Sequence, residues 1–305
     1  MEQEYISFEN RGPSHPMRLL IILGLMVVGA GVGAVVTLLV LKSFGYDLQT
    51  LTESFGIDSA LGERNALRSA ALLNHLFTFL LPAIIASYIF YKKDWLSYQR
   101  MDAAPAFKYL SMGTLMIVVA VPFVYFTYWL NSLVPLPEVL GSMETATEEL
   151  VKGLLIMNSP MELFFNLLVI SIMPAIAEEM IFRGVIQDSL EKMIINPHVA
   201  IAVSAIIFSA IHMQFGGFLP RVVLGMVLGY LFYWTRNIWV PIVAHAFNNG
   251  AQVVGAYFYS DELLNMEPSA LDSSIVLPGL ISLALTVAVG WYILKMKDGE
   301  RMVYR

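Results

Sequence analysis

The chain has 305 residues, of which 57% are hydrophobic and only 14% charged, and its mean hydropathy is +0.68. Soluble domains run at about 45–50% apolar and about 25% charged, so most of this chain is made for a lipid solvent. A net charge of −6 argues against the basic face that nucleic-acid binding needs. The absence of cysteine removes disulfides, thiolate metal sites and thiol nucleophiles.

Eight stretches approach the roughly 20 apolar residues of a spanning helix: 18–42, 70–91, 107–130, 160–187, 198–213, 218–235, 238–259 and 277–296. They predict an all-α polytopic membrane bundle of about eight transmembrane helices. The first is too long for a signal peptide and reads as an anchor. Residues 47–69 read as a polar connection on the far side of the membrane. Residues 136–155, after Pro135 and Pro137, carry an acidic, semi-apolar pattern that suits a helix in the interface or a solvated loop helix. The fifth and sixth stretches are short and joined by Gln214-Phe215-Gly216-Gly217, which predicts a hairpin. The segment 260–276 has four acids and no base. Gly29/Gly33 and Gly225/Gly229 are four apart, the spacing that lets helix backbones approach in lipid.

An even number of crossings places both termini on one side. Twelve of the 18 lysines and arginines fall on that side, among them Arg18, Lys92, Lys93, Arg100, Arg236 and Lys297. Five fall opposite, and Arg183 is intramembrane. The positive-inside rule makes the termini cytoplasmic, and the lack of targeting signals suits a bacterial plasma membrane.

Ionisable groups within a span are the informative exceptions, since each costs about 2.5–3.5 kcal/mol at a helix centre. The fourth stretch carries Glu178, Glu179 and Arg183. Glu179 and Arg183 are four apart and can pair. Glu178 is rotated by about 100° from its neighbour and has no local partner. Pro174 frees the carbonyl four residues before it and is expected to kink the helix beside the site. The fifth stretch ends in Phe208 and His212, and the seventh holds His245 and Asn249 on one face. At about 1.5 Å per residue, Glu178, His212 and His245 all fall near mid-depth. His75 reads as structural, Glu162 as an anion at a helix start, and Arg221 as a snorkelling side chain.

Glu178 with a histidine can hold and deprotonate a water for attack on an amide carbonyl. The resulting oxyanion needs donors such as His245 and the Asn249 amide. Glu178, His212 and His245 could instead ligate zinc; the set is minimal, and a metal-free water is preferred. No His-Glu-x-x-His occurs, no membrane-embedded aspartate pair exists, and Ser209 near His212 lacks an oxyanion loop. In a rival reading Glu178 is the carrier carboxylate of a proton- or ion-coupled transporter, against which the absence of an inverted repeat counts.

Glu178-Glu179 with Arg183, Phe208 with His212, and His245 with Asn249 together resemble the three motifs of the CAAX protease and bacteriocin-processing family. The resemblance covers about residues 160–259. It implies a core (160–296) of catalytic helices, preceded by three helices and an interfacial segment (1–159) and followed by a basic cytoplasmic tail (297–305). It further implies an intramembrane endopeptidase acting on a lipidated, CAAX-like or transmembrane peptide. By position, Glu178 would be the water-activating base assisted by His212. His245 and Asn249 would stabilise the oxyanion, and Glu179, Arg183 and Phe208 would support the site. Members are often labelled metalloproteases. The family also holds bacteriocin-immunity and scaffold members, so a non-catalytic membrane partner is a third reading.

Overall fold

The computed structural model describes residues 12–259 and 272–303, with side chains as far as Lys297. Most of the acidic segment 260–276 therefore lies outside the described residues, as do Arg11, Arg305 and the side chains of the basic tail. Among the described residues every regular element is helical.

Among the described residues ten helices follow one another. They are α1 (His15–Ser43), the short α2 (Leu48–Ser54), α3 (Leu61–Tyr98), α4 (Phe107–Ser132), α5 (Glu138–Leu155), α6 (Pro160–Met193), α7 (Pro197–Ala210), α8 (Phe218–Thr235), α9 (Trp239–Phe258) and α10 (Val276–Val303). The described residues hold six helices long and apolar enough to cross a membrane: α1, α3, α4, α6, α8 and the stretch Ser273–Lys297. The other two expected crossings differ for visible reasons. α7 has only 14 residues, and α9 spends its length on His245, Asn248, Asn249 and Gln252. The chain is an all-α polytopic bundle of an integral membrane protein.

Three helix starts are capped by a side chain. Asp47 accepts the Thr50 amide at the head of α2, Ser159 caps α6 with Pro160 next, and Asn196 caps α7 with Pro197 next. The acidic, semi-apolar segment is a helix, α5, and the fifth and sixth stretches do form a hairpin, α7–α8. The Gly225 face of α8 lies so close to α7 that a Cβ there would stand 3.0 Å from Ala205 Cβ.

α6 is the centre. Its residues from Ala175 to Ser189 are almost all sealed from solvent, and α1, α3, α7, α8 and α9 pack around it. It is not a uniform helix. π turns at Leu167–Ile172 and Phe182–Gln187 bracket the α-helical segment Met173–Ile181, and a third π turn, Leu76–Leu80, interrupts α3 beside it. Two of the three sit immediately before a Leu-Pro or Met-Pro pair, Leu81-Pro82 and Met173-Pro174, where the helix lacks one amide donor. α1 closes on the α3 π turn through Gly29 and Gly33. A side chain at Gly29 would run into the Phe77 carbonyl, and a Cβ at Gly33 would come within 2.7 Å of the Phe77 Cβ.

The connection expected at 47–69 ends early, because α3 begins at Leu61 and carries Arg64 and Arg68 inside the protein. The reason is Glu162. Its Oε2 lies 3.0 Å from Arg64 Nη2 and 2.9 Å from Arg68 Nη1. Arg68 also donates to the Leu154 and Ile156 carbonyls at the end of α5. Glu162 is therefore more than a dipole partner, since it makes two arginines compatible with a buried helix. Glu162→Ala strands both guanidinium groups, and removing one partner of a buried ion pair costs about 3–5 kcal/mol. A fall in melting temperature in detergent far larger than for the exposed Glu149→Ala is the expected result.

Candidate active site

Glu179, on the central segment of α6, is wholly buried. Its Oε2 lies 3.0 Å from Arg183 Nε, the pair expected from their spacing. Its Oε1 faces His245 Nδ1 of α9 at 2.9 Å. Arg183 reaches on to the Gly225 carbonyl of α8 at 3.1 Å, and its guanidinium carbon stands 5.2 Å from the centre of the Phe208 ring of α7. One carboxylate thus ties α6 to α7, α8 and α9. A carboxylate only accepts, so the Glu179 contact puts a proton on His245 Nδ1 and aims Nε2 the other way.

That Nε2 faces Glu178 Oε2 at 3.9 Å. Glu178, 4% exposed, has no arginine or lysine partner among the described side chains. Its other oxygen, Oε1, faces His75 Nε2 at 3.4 Å. His75 comes from α3, and its Nδ1 is held by the Ala71 carbonyl at 3.1 Å. Glu178 is therefore flanked by two imidazoles and anchored by neither an arginine nor a backbone amide.

His212 lies just past the end of α7, in the turn that Met213 closes with a left-handed φ of 53°. Its Nδ1 accompanies the Phe208 carbonyl at 2.7 Å. The same argument fixes the tautomer, so Nε2 is again the free nitrogen. Phe208 lies edge-on to both rings, 4.9 Å from His212 and 6.1 Å from His245 between centroids.

Asn249 stands one turn after His245 on α9. Its Nδ2 donates to the Ile170 carbonyl at 3.2 Å, and its Oδ1 accepts from Asn248. Ile170 is the residue four before Pro174, whose ring nitrogen has no hydrogen to give it. The carbonyl freed by the proline is thus taken by an amide from the neighbouring helix. Ser171 adds a second tie, its hydroxyl donating to the Ala246 carbonyl at 2.6 Å.

The structure brings together Glu178, Glu179, Arg183, Phe208, His212 and His245, with Asn249 one turn below. It adds His75, which the sequence had placed among structural residues. Its only local signal was a histidine beside Asn74 in an apolar run, and its partner is more than a hundred residues away. Ser209 is committed elsewhere, donating to the Phe218 carbonyl at 2.8 Å. Arg221 does not simply snorkel; it donates to Gln214 at 2.9 Å in the turn that follows His212. Among the described residues no three histidine, aspartate or glutamate side chains are arranged to hold a metal ion.

Residues 160–251 match the family described as type II CAAX prenyl endopeptidase, Rce1-like. The motif resemblance is borne out over that segment. Two Bacillus subtilis (strain 168) proteins are also similar. "Uncharacterized protein YpbD" is 30% identical over 84 residues, 26% of this chain and 40% of the relative. "Putative membrane peptidase YdiL" is 34% identical over 88 residues, 29% of this chain and 36% of the relative. The chain spans about two fifths of the length of these curated relatives. No solved structure matches it. The matched segment runs from the head of α6 into α9, so α1 to α5 stand outside it, His75 included.

Asn249→Ala is expected to destabilise the protein by about 1–3 kcal/mol, the cost of an unsatisfied buried carbonyl. Adding Pro174→Ala restores an amide on α6, so the double variant should melt above the sum of the two single losses. Strictly additive losses in a double-mutant cycle would show that Asn249 does not serve the Ile170 carbonyl.

Proposed function

We propose that the chain is an intramembrane endopeptidase that hydrolyses a peptide bond of a membrane-associated substrate through a glutamate-activated water. The observation that carries this reading is the environment of Glu178, a sealed carboxylate without a fixed cation and bordered by imidazole nitrogens that can give and take protons. The match to CAAX prenyl endopeptidases supports the reaction class.

In the proposed cycle Glu178 removes a proton from water while the water oxygen bonds to the substrate carbonyl carbon. His212, whose Nε2 is free, orients that water. The carbonyl electrons move onto oxygen. His245 can stabilise the oxyanion when Nε2 is protonated, because Glu179 supports the imidazolium from the other side. Asn249 offers its second amide hydrogen. The proton held at Glu178 then passes to the departing nitrogen, the C–N bond breaks, and an amine and a carboxylic acid leave. No enzyme-bound covalent species forms, and no metal is assigned a step.

The substrate enters from the bilayer as a lipidated, CAAX-like or transmembrane peptide. The distribution of basic residues supports cytoplasmic chain ends, and a bacterial plasma membrane is the proposed setting. A Glu178 with no arginine or lysine in direct contact among the described side chains also suits a proton-coupled carrier, the rival reading, and the same variants separate the two. Glu178→Gln and His212→Ala, purified and offered quenched membrane peptides, should each lose at least about 100-fold in kcat/KM, the scale of general-base catalysis. Cleavage at the parent rate by both variants ends the hydrolase reading. Activity that persists in a strong chelator supports the metal-free route, and its loss with recovery on added zinc overturns it.

Topology has its own check, made clean by a chain that has no cysteine. In intact cells an impermeant thiol reagent should label Asp58→Cys and leave Lys93→Cys unlabelled; the reverse pattern would invert the orientation.

A further inference from the structure

His75 has no place in the hydrolytic scheme so far, yet the fold holds it firmly. Its Nδ1 rests on the Ala71 carbonyl at 3.1 Å, and its ring lies against Phe79 with centroids 5.6 Å apart and planes 28° apart. It stands on the last α-helical residue before the π turn Leu76–Leu80, the stretch of α3 that contacts the central segment of α6. From there Nε2 reaches Glu178 Oε1 at 3.4 Å.

The two adjacent carboxylates are therefore paired in the same way. Glu179 has the imidazole of His245 at 2.9 Å and Glu178 that of His75 at 3.4 Å. The second contact is longer, as hydrogen bonds of an unliganded site often are. A carbonyl cannot donate, so His75 Nδ1 carries a hydrogen, and in the neutral ring Nε2 is a lone pair facing a carboxylate oxygen. Two acceptors face each other unless one proton lies between them. Charge points the same way. Glu178 and Glu179 bring two negative charges to a buried cluster in which Arg183 brings one positive charge, and His245, His212 and His75 are the groups around it able to take up the balance.

We propose that His75 is a positioning residue of this site. It fixes Glu178 through Oε1, shares the proton that the carboxylate takes from water, and leaves Oε2 directed towards His245 and the substrate. The inference rests on the hydrolytic reading of Glu178 and extends the site beyond the matched segment, onto α3. It adds a reason for the π turn, which sets His75 on the face of α3 turned to α6.

The test uses the purified full chain. His75→Leu, which removes the N–H, is expected to lower kcat by about 10- to 100-fold, the usual effect of losing a supporting partner, with KM and melting temperature unchanged. His75→Gln keeps a donor and is expected to recover part of that loss. A leucine variant that cleaves like the parent overturns the inference. So does a glutamine variant no better than leucine, with the melting temperature of both lowered. A second readout needs no activity. In 15N-histidine spectra Glu178→Gln should shift the His75 Nε2 resonance, and an unmoved resonance refutes the contact itself. A parent that cleaves no peptide while that coupling is present overturns the hydrolytic reading, and the role of His75 with it, but leaves the contact standing.

Discussion

A helix in hydrocarbon has no water to satisfy a polar atom, so each buried charge must find its partner on another helix. In this protein the constraint is met around Glu179. Its two oxygens hold Arg183 and His245, and Arg183 continues to a carbonyl of α8 while lying over Phe208 of α7. Four helices are thereby registered to one another by Glu179 and Arg183 together. Lipid gives helices no hydrophobic reason to associate, so hydrogen-bonded and close-packed contacts must supply specificity. Glu162 repeats the solution nearer the membrane edge, where it joins α6 to Arg64 and Arg68 of α3.

The π turns belong to the same logic. Each widens the helix by a residue and changes which side chains face a neighbour. The segment that carries Glu178 and Glu179 lies between two of them, and the third follows His75. Pro174 opens the backbone, and Asn249 closes it from α9. The carbonyl four residues before the proline is thus part of the join between α6 and α9. Ser171 and Asn249 both donate across that join, which sets the height of His245 relative to Glu178.

Local spacing carried much of this in the sequence. The Glu179–Arg183 pair follows from a separation of four, and His245 and Asn249 share a face for the same reason. The helical hairpin and the small-residue contacts were legible because they depend on neighbouring residues. What was hidden depends on distant ones. α3 begins before residue 70 with two arginines inside the protein, and their partner, Glu162, lies on another helix. His75 gave no sign, since its partner lies on another helix and a π turn leaves no pattern in apolar residues. Glu178 read as lacking a local partner, which is correct within α6, and its true neighbours come from α3 and α9.

The contrast between the two adjacent glutamates explains why only one suits acid–base chemistry. A carboxylate whose two oxygens are both held by close partners has none left to meet a water. Glu179 is in that position and acts as scaffold. Glu178 is faced by imidazoles alone, groups that can both donate and accept a proton. A residue that must accept a proton from water and surrender it to a leaving nitrogen needs such neighbours. The 100° between consecutive residues of a helix therefore separates a structural acid from a reactive one, with the same side chain in both roles.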